Sequence, residues 1–404
     1  MRMLSAFDSL TPEELSASLL VFMVDEPSRQ QISNALRQLG ITDVYVGVGG
    51  MDDLIQHMTK VQKAPDRLIV DISGLDKPLD ALDKLADSCD PSVTVYAVGE
   101  KNDVTLYRLL LQAGISDYRY KPLTADALRS WLDDSQQYSV RQARSGKVIA
   151  VAGSRGGVGA STIAGQLARE LVAGSSLRKV VFIDMDFYGG AGTTLMGMTT
   201  NRSLVEALGS LAGLDAQFLQ RVLTTTDGRL FTLGFNNPFQ EIFQQEPGAV
   251  SALLEALMQH FHYLVVDLPQ AGGMVANEVY ARSSTVCLVS DHSVHSARIL
   301  ASLLNHIKGN LGAPVTQVVL NNTRPASKTQ VDVAEFTKAI EHPVAFTIPY
   351  DGSLPTMAED LGQPLPANSQ LSKAVARFSR TLTGEATDYD AASSWWRKLL
   401  KRSK

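Results

Sequence analysis

Residues 147–172 read KVIAVAGSRGGVGASTIAGQLARELV: an apolar run, a glycine-rich turn and an amphipathic stretch, an order that few folds accommodate. The run is short and rich in Val, Ile and Ala, as a parallel strand buried on both faces requires. Ile163, Leu167 and Leu171 follow at four-residue spacing and share one helical face. Strand, turn and helix so closely joined begin a parallel crossover unit, which predicts an α/β protein. The same alternation recurs along the chain. LLVFMVDE, DRLIVDIS, VTVYAVGE and ISDYRY read as strands before this unit, and KVVFIDMD, YLVVDLP, TVCLVS, TQVVLNN and VAFTIPYD after it. The stretch SRQQISNALRQLG reads as a helix with Ile32, Leu36 and Leu39 on one face and Gly40 as its stop. After Trp131 the segment DDSQQYSVRQARSG loses periodicity and reads as a linker. The expected organisation is two doubly wound parallel-sheet domains, 18–135 and 147–385, joined by residues 136–146 and followed by a tail, 386–404.

The glycine turn has the chemistry of a phosphate cradle. Gly156, Gly157 and Gly159 let backbone N–H groups approach phosphate oxygens closely, and the following helix offers the partial positive charge of its N-terminus. Ser161 and Thr162 open that helix, with the Ser161 hydroxyl placed as a magnesium ligand. Against the pattern G-x-x-x-x-G-K-[ST], Ser154 stands at the first glycine and Ala160 at the lysine. A plain turn between strand and helix is the competing reading. Three acids weigh against it: Asp184 and Asp186 close the run KVVFIDMD, and Asp267 closes FHYLVVD. Each alone reads as a helix cap or loop acid. Together, at carboxyl ends of strands downstream of a phosphate-type loop, they stand where open α/β sheets bind ligand and metal.

Bulk composition narrows the classes further. Two cysteines, Cys89 and Cys287, lie far apart in no metal-ligand spacing, which speaks for a reducing compartment and against a disulfide framework, zinc or an iron–sulfur cluster. No run approaches the roughly 20 apolar residues of a membrane span. Asp8, Glu13 and Glu14 interrupt the N-terminus, a poor signal peptide, so a cytoplasmic location is expected. Net charge is −5, yet Arg397, Lys398, Lys401, Arg402 and Lys404 crowd the last ten residues without an acid, leaving −10 on the rest. An acidic body with a basic tip predicts no general nucleic-acid binding.

The loop and the acids resemble the ParA/MinD superfamily of P-loop ATPases, whose deviant loop reads K-G-G-x-G-K-[ST]. Here it is Arg155-Gly156-Gly157-Val158-Gly159-Ala160-Ser161. The resemblance implies ATP and Mg²⁺ as ligands. It sets Arg155 at the lysine that reaches across a nucleotide-sandwich dimer and Ala160 at the phosphate-binding lysine. Asp186 falls at the water-orienting position, Asp184 at a magnesium second-sphere acid and Asp267 at the switch II acid. VVLNN resembles the strand whose Asn321 would read adenine, and IPYDGSLPTMAEDLGQPL the closing region around Pro349 and Asp351. Ala160 cannot donate to phosphate from its side chain. Loss of one transition-state donor costs about 10²–10³ in rate, so slow or absent hydrolysis with retained binding is expected.

In the first domain, Asp25 and Glu26 follow the first strand, Asp71 ends a later one, and Lys121 follows ISDYRY. This set resembles a two-component receiver: an acid pair for Mg²⁺, a phosphoacceptor aspartate and a phosphoryl-contacting lysine. The hydroxyl residue expected after the fourth strand is missing, since VTVYAVGE ends with Gly99 and Glu100. An inherited scaffold for protein contact is the alternative to a working phosphorylation switch. A receiver-like unit ahead of a deviant ATPase, with VGEKNDVTLYRLLLQAGISDYRYKPL and GSRGGVGAST, resembles the TadZ/CpaE family of Flp (Tad) pilus assembly proteins. That resemblance implies a homodimeric, ATP-dependent localisation factor for the pilus secretion machinery, peripheral at the inner membrane and often polar.

In the tail, Trp395, Trp396, Leu399 and Leu400 share a helical face while basic residues cover the others. That pattern suits an interfacial membrane helix; a partner-docking peptide and a disordered tail are the other readings. Two further functional classes stay open: a ParA-like DNA partition ATPase, and a response regulator with a nucleotide-binding output.

Overall fold

The computed structural model describes residues 17–132 and 146–383, apart from 60, 62–63, 92, 176–177, 189, 198–202, 210–217, 219–220, 226–227, 235–245, 270, 311–313 and 326–329. The expected linker, save Gly146, and the tail with Trp395, Trp396, Leu399 and Leu400 lie outside the described residues. The chain divides into two compact units. One is Met1–Gly146 with the short segments Ser175–Arg178 and Leu257–His262; the other comprises Lys147–Gly174, Lys179–Ala256 and Tyr263–Lys404.

The first unit alternates strand and helix: β1 (Leu19–Met23), α1 (Glu26–Gln38), β2 (Val44–Val48), α2 (Met51–Met58), β3 (Arg67–Asp71), α3 (Pro78–Ala86), β4 (Thr94–Gly99), α4 (Val104–Gln112), β5 (Asp117–Tyr120) and α5 (Ala125–Leu132). The strands form one parallel sheet in the order β2-β1-β3-β4-β5, a doubly wound arrangement. Alternate strand residues feed two cores, one holding Leu20, Phe22, Leu68 and Val70, the other Leu19, Val21, Ile69 and Val98. In α1, Asp25 caps the N-terminus, Ile32 and Leu36 are buried, and Gly40 follows at φ +74°. Strand β2 is not among the strands expected from sequence. It is an edge strand, only partly buried, and Gly47 within it leaves room for the Phe22 ring, whose Cε2 would lie 2.6 Å from an added Cβ.

The second unit runs β6 (Lys147–Gly153), α6 (Ala160–Ala173), β7 (Val180–Asp184), α7 (Ala191–Leu195), α8 (Ser203–Gly209), β8 (Thr224–Thr225), β9 (Leu230–Leu233), α9 (Ala249–Leu257), β10 (Tyr263–Leu268), α10 (Met274–Arg282), β11 (Thr285–Ser290), α11 (Val294–Asn310), β12 (Val315–Asn321), α12 (Val333–Ile340), β13 (Val344–Ile348), α13 (Leu354–Asp360) and α14 (Gln370–Thr383). Its eight strands lie in the order β13-β12-β11-β6-β10-β7-β9-β8, parallel except for the two-residue β8 at one edge. Ile163, Leu167 and Leu171 of α6 are fully buried in a core with Val151, Phe182 and Val265 of the sheet and Ala374 and Phe378 of α14. β8 and β9 extend the sheet beyond the strands read from sequence; both are too short for a period to show. Because β6 sits near the middle with β10 and β11 on either side, the turn after it opens at the carboxyl end of the sheet.

Candidate nucleotide site

The turn from β6 to α6 is held open by two left-handed glycines, Gly157 at φ +77° and Gly159 at φ +84°, a region that side chains rarely adopt. Gly159 is also the N-cap of α6, and a Cβ there would lie 2.6 Å from Asn321 Nδ2. Asn321, buried at the end of β12, donates from that nitrogen to the Val158 carbonyl at 2.9 Å. Val158 is buried, whereas Gly156 and Gly157 face solvent. One side of the loop is thereby pinned to the sheet, and the other leaves its backbone open to an anion.

Asp184 and Asp267 pair in register across β7 and β10, and both are almost fully enclosed, 2% and 3% exposed. Burial pushes the Asp184 carboxyl up to about 6, although backbone N–H groups of Asp186, Thr193 and Gly192 pull the other way. Asp267 is pushed up to about 7 by burial and by the facing Asp184, while the neighbouring Ser161 hydroxyl favours the ionised form. Asp267 Oδ1 is buried with no hydrogen-bond partner, and the Thr193 hydroxyl nearby is in the same condition. Glycines shape the far wall: a Cβ at Gly190 would lie 2.3 Å from Asp184 Oδ2, and one at Gly192 2.8 Å from it.

A buried carboxylate oxygen without a donor, next to a hydroxyl at a helix N-terminus, suits a hard divalent cation. Ser161, Asp267 and Asp184 are the residues that would hold Mg²⁺ or its waters. Among the described residues no group of three or more His, Cys, Asp or Glu forms a cation cage by itself.

Asp186 lies at the mouth, its backbone N–H donating to Asp184 Oδ1 at 3.0 Å and its carboxylate accepting from Tyr188 N. Arg155 points its guanidinium at Asp291, with a second hydrogen bond to the Gly156 carbonyl at 3.0 Å. Ala160 and Thr162 stand half-buried in the first turn of α6. Pro349 is half-buried after β13, and the Asp351 carboxylate caps α14 by accepting from Leu371 N at 2.9 Å.

Asp291 is a residue that sequence reasoning missed. Burial acts to raise its carboxyl, but the hydroxyls of Ser296 and Ser293, then Arg155, hold it down at about 2. The signal was present: an acid directly after the run TVCLVS, with serines two and five residues on.

In the first unit, the structure joins Asp71, Asp25 and Lys121 but not Glu26. Lys121 Nζ lies 2.6 Å from Asp71 Oδ2 and 3.3 Å from Asp25 Oδ2. Burial would depress the ammonium, yet Asp71 and Asp25 hold it above the usual lysine range. Asp71 also accepts from Val24 N, Ser73 N and the Ser73 hydroxyl, so both its oxygens are engaged. Glu26 turns to Arg29 on its own helix. At Gly99, an added Cβ would meet the Tyr118 hydroxyl at 2.7 Å, and that hydroxyl donates to the Lys101 carbonyl at 2.7 Å. The aromatic ring fills the place a hydroxyl side chain would need.

A glycine cradle at a helix N-terminus, opposed by two buried acids on neighbouring parallel strands, defines a P-loop fold of the ParA/MinD type. A ParA family ATPase from Chlorobium tepidum TLS matches with a TM-score of 0.54 and 23% identity, over 59% of this chain and 99% of its own. The septum site-determining protein MinD of Pyrococcus horikoshii OT3, solved with Mg-ADP, matches with a TM-score of 0.50 and 17% identity, over 61% of this chain and 97% of its own. The chain belongs to the family described as cellulose biosynthesis protein BcsQ, whose model matches residues 146–376, more than half of its length. An iron–sulfur cluster carrier protein from Aquifex aeolicus (strain VF5) is 27% identical over 262 residues, 58% of this chain and 67% of that protein. The pilus assembly protein CpaE from Caulobacter crescentus CB15 is 29% identical over 28% of this chain and 87% of its own, with a TM-score of 0.26.

Proposed function

We propose that this protein binds ATP with Mg²⁺, dimerises around it, hydrolyses it slowly or not at all, and acts as a localisation factor for Flp (Tad) pilus secretion machinery. The observation that carries the nucleotide part is the buried Asp267 carboxylate without a partner on one oxygen, beside the Ser161 hydroxyl and Asp184. Asp184 and Asp267, which face each other, would hold a cation that supplies positive charge beside the loop amides, where a triphosphate would lie. Binding then rests on main-chain N–H groups, the α6 N-terminus and the metal, none of which needs a lysine at 160. Turnover lacks that donor, which supports a nucleotide-gated switch over an efficient ATPase. Asp186 at the mouth is the candidate to orient water, Arg155 the candidate to reach a partner subunit, and Asn321, Pro349 and Asp351 the candidate base-side rim.

The receiver-like reading of the first unit supports a contact module more than a phosphorylation switch, since Asp71 is saturated with donors and Gly99 is closed off by Tyr118. A groove of about 620 Å³ along β5, with exposed Val104, Tyr107 and Tyr120, offers that unit a surface for a secretion component. The tail would bring the dimer to the inner membrane, with a polar location following from the machinery it meets.

The family match favours a second reading, the same switch serving a cellulose secretion machinery. The name of the Aquifex relative suggests cluster transfer, but Cys89 and Cys287 are both buried, and burial pushes the Cys287 thiol up to about 12. Calorimetry of ATP and magnesium with the purified protein, alongside sedimentation of the same samples, tests the reading. Heat of binding together with ATP-dependent dimers supports it; no heat at millimolar ATP and magnesium refutes it. Cross-linking in cells then separates the machineries, by whether pilus or cellulose export proteins are captured.

A further inference from the structure

The last described helix carries a row of cations that nothing in the nucleotide reading uses. In α14, Leu371, Ala374, Val375 and Phe378 are buried against α6 and the sheet. On the opposite side Lys373, Arg377 and Arg380 are exposed, spaced by four and three residues, so they line one edge of the helix over roughly 10 Å. None of the three makes an ion pair among the described residues. Arg380 acts at longer range on Glu170 of α6, which is half-buried and hydrogen-bonded to Gln166. The exposed positions of the helix include no acid. Three exposed cations within about one Debye length of each other attract a charged surface additively.

We infer that this basic edge of α14 is a docking face for an anionic lipid bilayer, against which the second unit lies. The occupant follows from charge and from the composition of the last eleven residues. The body of the chain is acidic, −10 without its last ten residues, so it is repelled by polyanions except where cations are concentrated. Ten residues beyond α14, past a stretch holding Glu385, Asp388 and Asp390, the chain reads SWWRKLLKRSK at 394–404, where two tryptophans and two leucines alternate with more cations. Apolar anchors of that kind have a place in a bilayer interface and none on a phosphate backbone. The N-terminus of α14 is in turn tied to the rim of the nucleotide site through Asp351 and Leu371 N, which connects the face to the site by a single hydrogen-bonded step. The inference rests on the membrane part of the proposed function and extends it from the tail to a folded surface, which fixes which side of the unit meets the lipid.

Vesicle flotation of the full chain tests it, with pure phosphatidylcholine against phosphatidylcholine–phosphatidylglycerol vesicles at low salt, with ATP and magnesium present. Each basic side chain near an anionic surface contributes about 5-fold in affinity, so Lys373→Gln, Arg377→Gln and Arg380→Gln together should weaken binding to the anionic vesicles about 150-fold. Circular dichroism should not change and the thermal midpoint should stay within a degree or so, because all three side chains are exposed. The swap Lys373→Arg, Arg377→Lys, Arg380→Lys should bind as the parent does. Unchanged affinity of the triple Gln variant for anionic vesicles, while Trp395→Ala with Trp396→Ala abolishes binding, overturns the inference and leaves the tail reading standing. Loss in the triple variant with the tail variant unaffected supports the inference and removes the tail. A parent protein that binds no vesicle, or that is retained on duplex DNA through the same three residues, overturns both.

Discussion

The raised carboxyl of Asp267 makes the stability of the magnesium-free protein depend on pH in an unusual direction. Folded, the group titrates at about 7; unfolded, near 3.8. Between those values the folded state holds a proton that the unfolded state has released, so stability falls as pH rises. The span corresponds to about 4 kcal/mol. That stability is fully present below about pH 4, and about 3 kcal/mol of it is lost between pH 5 and pH 8. For a unit of this size the loss equals a fall of about 6–12 °C in thermal midpoint. Asp267→Asn replaces the protonated acid with a neutral group of the same shape and should remove that share of the slope, leaving the smaller share of Asp184, whose carboxyl is also pushed up, to about 6. The assay is thermal unfolding in chelator across pH 5–8, read by tryptophan-independent circular dichroism for parent and variant. Magnesium with ATP should flatten the parent's curve, because bound cation offsets the ionised pair, and should do little for the variant. Parallel pH curves for the two proteins in chelator would show that the Asp267 carboxyl is not held neutral by its surroundings, and the argument for a cation site there would fail.

Ala160→Lys should raise ATP turnover by about 10²–10³ while calorimetric affinity stays within a few-fold; faster turnover bought only through tighter binding would contradict the division of labour proposed for the loop. Gly190→Ala should displace Asp184, since the new Cβ would lie 2.3 Å from Oδ2 at an unstrained φ of −57°. A destabilisation of about 1–3 kcal/mol with weakened nucleotide binding is expected, and a variant indistinguishable from the parent would count against the cradle. Asp291→Asn removes the negative partner of Arg155 and should strengthen ATP-dependent self-association in sedimentation experiments if Arg155 serves a second subunit; weaker association would assign Asp291 to holding the arginine in its working position. Asp71 should take no label from acetyl phosphate, because all its acceptor directions are filled. A label lost in Asp71→Asn would reinstate the phosphorylation reading.

Much of this molecule is written in local pattern. The strand runs, the buried face of α6 and the glycine turn follow from side-chain period and from the backbone freedom of Gly157 and Gly159, properties of a few neighbouring residues. Acids at the ends of β7 and β10 are visible as letters for the same reason. Strands β2, β8 and β9 escaped that reading. In β2, Gly47 interrupts the pattern to admit Phe22, and β8 and β9 are too short to show a period.

What the amino-acid order determined alone is the alternation of strand and helix, the anion-accepting turn and the missing ammonium group at 160. The tertiary structure decided where charge and hydrogen bonds end up. It turned Glu26 away to Arg29 while closing Asp25, Asp71 and Lys121 together. It joined Arg155 to Asp291 across 136 residues and bound Asn321 to the phosphate loop. It also left one oxygen of Asp267 buried without a donor. Those outcomes depend on which distant groups share a low-dielectric interior, and proximity of that kind exists only once the sheet has ordered its strands.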